Sequence, residues 1–139
     1  MGVVGFNLTK INVERKKFGE GKVSIDNNLS LKDLTERNLG GIGKTKQMGI
    51  DFGFEFKVQY LAESKETFAS MSLEGDVLYV EEATKVKALV EDWKKNKNVD
   101  KEILTQVMNM AMAKCNIAAI MISREINMPP PIPLPKVRE

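Results

Sequence analysis

Apolar and polar residues alternate most strictly between Ile50 and Glu63. Ile50, Phe52, Phe54, Phe56, Val58, Tyr60 and Ala62 fall on even positions, with Asp51, Glu55, Lys57, Gln59 and Glu63 between them. A period of two predicts a strand with one apolar and one wet face. Ser64-Lys65-Glu66 reads as a hairpin turn. The strand after it carries Ala69, Met71, Leu73, Val77 and Tyr79 in one phase, with Gly75 at a position suited to a bulge. Upstream, about Val4 to Lys17 predicts a first strand. Phe6 and Leu8 share one phase and Ile11 and Val13 the other, which places a bulge near Thr9-Lys10. Phe18-Gly19-Glu20-Gly21 reads as a turn or crossover. A second strand fits Lys22 to Leu31, with Val23, Ile25, Leu29 and Leu31 in phase and Asn27-Asn28 weakening its middle. The stretch from Leu31 to Leu39 is polar and broken.

After about residue 80 the spacing becomes helical. Val86, Leu89, Val90 and Trp93 give one apolar face to a short helix from about Ala83 to Asn96. Asp100 suits an N-cap, and Val99 is placed to staple against Leu104. A long helix then runs to about Asn127, spanning on the order of 40 Å. From Val107 to Ile122 it is apolar almost all round. A small sheet covers only one face of such a helix, so the other calls for a partner, most simply another copy of the chain. Val107, Ala111, Cys115, Ala118, Ala119 and Ile122 are the residues expected at that contact. The tail from Met128 to Pro135 predicts extended polyproline II, leaving Ile132 and Leu134 free to pack or bind.

These elements make one α+β domain over 1–139: strands at about 4–80, helices at about 83–127 and a proline-rich connector at 128–137. The length is that of one domain and needs no disulfide or metal staple. A net charge of +2, with both signs interleaved, gives no argument for nucleic acid. The local basic run Trp93-Lys94-Lys95-Asn96-Lys97 reads as a solvated helix end. Lys114 and Arg124 interrupt the most apolar run, so no membrane insertion is expected. Gly2 is not in a myristoylation motif, since Phe6 stands where Ser or Thr is needed. The single cysteine excludes an intrachain disulfide and, with no signal peptide, points to a reducing, cytoplasmic setting.

The chain has no histidine. This removes the commonest general base and the commonest metal ligand, and no other catalytic spacing stands out. No catalytic residue, metal ligand or cofactor is assigned, and the chain reads as a binding protein. Gly40-Gly41-Ile42-Gly43-Lys44-Thr45 has the letters of a phosphate loop. It lacks the buried strand before it and the helix after it, so it reads as a glycine loop between strands. Cys115 sits among apolar neighbours and reads as a structural thiol. The methionines Met108, Met110, Met112, Met121 and Met128 suit irregular packing or an adaptable binding surface.

Taken in order, the alternating strand Ile50 to Val58, Glu66-Thr67-Phe68 opening the next strand, Leu73-Glu74-Gly75-Asp76-Val77-Leu78, the long helix and its ending Met128 to Val137 resemble the SecB-type export chaperones. The likeness is strongest to small SecB-like proteins of archaeal type. It covers roughly residues 5–137 and rests more on architecture than on identities. It implies a four-stranded antiparallel sheet with helices on one face, assembled as a dimer of dimers. It also implies ATP-independent holding of unfolded polypeptides in hydrophobic grooves. By position, Ile132 and Leu134 would border the groove, as would Met121 and Met128. The chain departs from the family by ending at Glu139, without a further helix after the connector, and by lacking a cysteine-rich zinc tail. The family's acidic surface docks the export motor. This chain is slightly basic, which leaves motor docking and export without support. The alternative is an adaptor or dedicated chaperone of one partner, such as a toxin–antitoxin pair.

Overall fold

The even positions of the alternating strand form the floor of the core: Ile50, Phe52, Phe54, Phe56, Val58 and Tyr60 are at most 1% exposed. They belong to a computed structural model that describes residues 2–16, 22–39 and 47–131. Its elements are β1 (Gly2–Arg15), β2 (Ser24–Asn38), β3 (Gln47–Leu61), β4 (Thr67–Glu82), α1 (Ala83–Asn96) and α2 (Lys101–Glu125). The strands form one sheet in the order β1-β4-β3-β2, and every neighbouring pair is antiparallel. Both helices pack on the face that holds the even residues of β3 and the odd residues of β4. The fold is thus α+β, a four-stranded antiparallel sheet with its helices on one face.

Local chemistry explains the joints. β1 slips register between Leu8 and Lys10, so Thr9 is the extra residue. The slip brings both hydrophobic phases to one face: Phe6, Leu8, Ile11 and Val13 lie opposite Val77, Gly75, Leu73 and Met71. Gly75 is opposite the bulge, and Phe6 reaches across β4 to stack on Phe54 with ring centroids 5.4 Å apart. The β3–β4 hairpin turns at Lys65, whose φ is 66°, and its N–H donates to the Ala62 carbonyl. α1 ends where Lys97 adopts a left-handed conformation, with its ammonium 4.8 Å from the Trp93 ring centre. Asp100 takes the N-cap position of α2, although its side chain makes no capping bond.

β2 is longer than its hydrophobic pattern predicts. It runs on through the polar stretch to Asn38. A register shift between Leu31 and Asp33 changes its phase, so Leu31 faces Phe54 but Leu34 faces Phe52. As an edge strand with one wet face it tolerates many charges. Those charges tie the strands together on the face away from the helices. The Lys32 ammonium lies 3.0 Å from Glu55 and 2.9 Å from Glu74, Lys57 lies 3.0 Å from Glu55, and Arg37 pairs with Asp51 at 2.9 Å. Hydrogen bonds from Lys32 and Lys57 lower the Glu55 pKa from its ordinary 4.5 to about 2. A carboxyl depressed on folding stabilises the native state above its unfolded pKa and loses that contribution as pH falls through the folded value. Stability should therefore decline between about pH 4.5 and 2, and Glu55→Gln should flatten that part of the curve. Urea midpoints measured across the range check it, and an unchanged slope in the variant would remove Glu55 from the account.

Candidate polypeptide-binding surface

The long helix is the feature that sets this surface apart. One stripe of α2 meets the sheet at every fourth residue: Val107, Ala111, Cys115, Ala119 and Ser123. All five side chains are Ala, Ser, Cys or Val, and small residues bring a helix backbone close to the floor of aromatic rings. Val107, Ala111, Cys115 and Ala119 are 0% exposed within a single chain. Their expected place in a contact between copies is therefore corrected: they touch the chain's own core and have no surface left for a neighbour. Ala118 and Ile122 flank the stripe, packed against the core but not fully covered by it. Burial pushes the Cys115 thiol up to about 11, which suits an inert packing group.

Away from that stripe, Ile117 and Met121 stand on the opposite side of α2 and Met112 on its flank. Ile117 is 60% exposed, Met121 64% and Met112 38%. On the edge strand β1, Ile11 and Val13 are 54% and 37% exposed, although they lie on the face that the helices cover. Of these five, the sequence places only Met121 at a groove. By length and composition α2 is also apolar enough to cross a membrane. The charges at Lys114 and Arg124 do not prevent that, contrary to the reading of the sequence. Only 22% of its most apolar stretch is buried within the chain.

The end of α2 is anchored. The Arg15 guanidinium donates to the Ile126 and Asn127 carbonyls, meeting the helix end with a cation. Asn127 has a φ of 53°, and the Met128 N–H donates to the Ser123 carbonyl. The chain then crosses back over the sheet. The Tyr60 hydroxyl donates to the Pro129 carbonyl at 2.8 Å, and the Asn27 amide donates to the Pro131 carbonyl at 3.0 Å. Asn27, a weak point in a strand by composition, is thus a docking point for the connector. Met128 is 9% exposed and packs in the core. That corrects its expected role at a groove, because its side chain is occupied at home. Ile132 and Leu134 lie outside the described residues. So do Gly40 to Thr45, though the elements on either side of that loop, β2 and β3, are both strands. Among the described residues no group of three or more His, Cys, Asp or Glu side chains is placed to hold a metal.

No protein-family profile matches the chain, and no curated protein matches it in sequence. Its fold does have a solved counterpart: the Mycobacterium tuberculosis SecB-like chaperone, in complex with a ChAD peptide from the HigA1 antitoxin. The two superpose with a TM-score of 0.57 at 8% identity, over 99% of this chain and 90% of the other. At that identity the likeness establishes a SecB-like fold and gives no ground for the archaeal subtype.

Proposed function

We propose that this chain is an ATP-independent chaperone that holds unfolded polypeptides, and that copies of it associate through the outer side of α2, with a dimer of dimers as the assembly. The observation that carries the reading is the uncovered apolar surface of Met112, Ile117 and Met121 on α2 and of Ile11 and Val13 on β1. Uncovered apolar side chains call for a partner where they lie together, as Ile117 and Met121 do one turn apart on α2. Methionine adapts to partners of differing shape, and the SecB-like fold supports a chaperone role. Ile132 and Leu134 are proposed to extend the client surface beyond Met121. Neither catalysis nor export enters this reading.

The test is an aggregation assay with a chemically unfolded model protein and no nucleotide. The full chain should suppress aggregation, a folded client should not bind, and a long unfolded client should bind far more tightly than one short peptide cut from it. The last effect follows from several weak contacts acting together on one assembly. Unchecked aggregation at a several-fold excess of the chain would sink the proposal.

A second reading is favoured by one finding. The solved structure with this fold holds a peptide from an antitoxin. A chain dedicated to one such partner would bind a single polypeptide tightly and leave unrelated unfolded proteins to aggregate. A panel of unfolded clients therefore separates the two readings.

A further inference from the structure

β2 is a terminal strand of the sheet. Its inner edge is hydrogen-bonded to β3, and its outer edge meets no described strand. An open edge is a template for a further strand, and proteins guard such edges with charge, bulges or proline. β2 is guarded only in its second part. From Lys32 onward it carries the register shift and the charges of Lys32, Asp33, Glu36 and Arg37. From Ser24 to Leu31 its register with β3 is regular, and Asp26 is its one charge. On the helix side of that stretch Ile25, Leu29 and Leu31 pack against the core but are not fully covered by it.

The chain delivers its own connector to this edge. The Tyr60 hydroxyl holds the Pro129 carbonyl over β3, and two residues later the Asn27 amide of β2 holds the Pro131 carbonyl. The connector therefore crosses from β3 outward to the terminal strand. Ile132 to Glu139 follow, eight residues with a reach on the order of 26 Å when extended. Prolines at 133 and 135 alternate there with Ile132, Leu134 and Lys136. In an extended chain, consecutive residues present their N–H and C=O groups to opposite edges. One edge of this segment thus keeps its donors, at 132, 134 and 136, and the other has none at 133 and 135. Proline fits a strand only where its nitrogen faces away from the ladder. Such a segment joins a sheet by one edge and closes it to further strands on the other.

We propose that residues 132–135 dock on the outer edge of β2 as a short fifth strand, parallel to it, with Ile132 beside Leu29 and Leu134 beside Leu31. Parallel is the sense in which the connector already travels. Tyr60, which holds Pro129, stands level with Ile25, and Pro131 meets Asn27, further along β2. The register sets apolar side chains beside apolar side chains on the helix side of the sheet, and the bulge after Leu31 ends the pairing. The docked segment presents no N–H outward at Pro133 and Pro135, so it guards the part of β2 that the strand's own residues leave open. The contact lies within one chain and goes beyond the chaperone reading without resting on it.

The experiment is amide hydrogen exchange on the isotope-labelled full chain, read by NMR. The Ile132 and Leu134 amides should exchange about tenfold or more slowly than in a free peptide of the same sequence. Between Asn27 and Leu31, the amides turned away from β3 should be protected as well. Leu134→Pro removes one donor from the docking edge and should speed exchange of those β2 amides by about tenfold. Leu134→Ala loses the same side-chain contact but keeps the N–H, and it should retain most of the protection. Free exchange of Ile132 and Leu134 in the unaltered chain would overturn the proposal before any variant is made. Protection of the β2 edge that survives Leu134→Pro would overturn it too, because another segment would then hold that edge. So would equal losses in the two variants, which would mean that side-chain contact alone holds the tail. No client enters these measurements, so their failure would leave the chaperone reading untouched.

Discussion

Ala111→Asp should unfold the chain, whereas Ile117→Asp combined with Met121→Asp should leave the fold intact and break up any assembly. All three positions lie on α2, and the contrast rests on what each touches. Ala111 is 0% exposed and faces the aromatic floor of the sheet. A carboxylate there loses its water and gains no cation, at a cost on the order of several kcal/mol, a large share of the stability of a domain this size. The penalty should vary with pH. Burial raises the folded-state pKa of the new carboxyl above its unfolded value of about 3.9, so the group binds more protons folded than unfolded. Its cost is therefore smallest below about pH 4 and grows as pH rises toward the folded pKa. Ile117 and Met121 are 60% and 64% exposed, and substitutions at such places usually change stability by less than about 0.5 kcal/mol. Two charges on the outer side of α2 would instead be buried wherever another copy or a client covers it. Thermal melts and sedimentation of both variants decide the matter. An Ala111→Asp chain that melts like the parent would contradict the packing described, and a double variant that sediments like the parent would move the interface off this face.

The fold was legible where the hydrophobic signal is periodic. The even positions of β3 marked the floor of the core, and the phase switch between Phe6 and Ile11 marked the bulge at Thr9. α1 has the limits that its spacing predicts, Ala83 and Asn96. β2 was cut short because it is an edge strand whose phase changes at Lys32. Leu34 then looks isolated among Asp33, Thr35, Glu36 and Arg37 although it is 6% exposed. Polar neighbours on a wet edge carry no alternation for a pattern to register.

The binding surface was legible only in part, and the reason is physical. A helix that is apolar all round has no polar side to tell its inner face from its outer one. Size could have told them apart. Residues 107, 111, 115, 119 and 123 recur every four positions and include no side chain larger than valine, which marks the line where a backbone approaches a neighbour. The larger Met112, Ile117 and Met121 fall outside that line. Met128 was misplaced because its burial depends on Asn127 turning the chain at positive φ and on Tyr60 and Asn27 holding the connector. Those contacts are separated by 69 and 104 residues in sequence and leave no local trace.

Gly75→Ala should destabilise the chain more than its single added carbon suggests. A Cβ built on Gly75 would lie 2.1 Å from the Asn7 carbonyl oxygen, 3.0 Å from Leu8 Cα and 3.1 Å from the Asn7 carbonyl carbon. All three are backbone atoms of β1, drawn close where the strand bulges at Thr9. No rotamer change relieves such a clash, so β1 must move away from β4, its one neighbour among the described strands. The shift would loosen the Phe6–Phe54 stack and carry Arg15 off the end of α2. The cost expected is about 3 kcal/mol, the upper end for an overpacked site, and a fall in Tm of roughly 10 °C for a domain of this length. Gly5→Ala is the matched control on the same strand pair. Its Cβ would make an ordinary 3.6 Å contact with the Leu78 Cβ, so it should melt within a few degrees of the parent. Urea unfolding of both variants gives the comparison. A Gly75→Ala chain as stable as Gly5→Ala would mean that β1 does not sit over Gly75 as described. The bulge would then be a passive irregularity instead of the feature that brings two hydrophobic phases onto one face of the sheet.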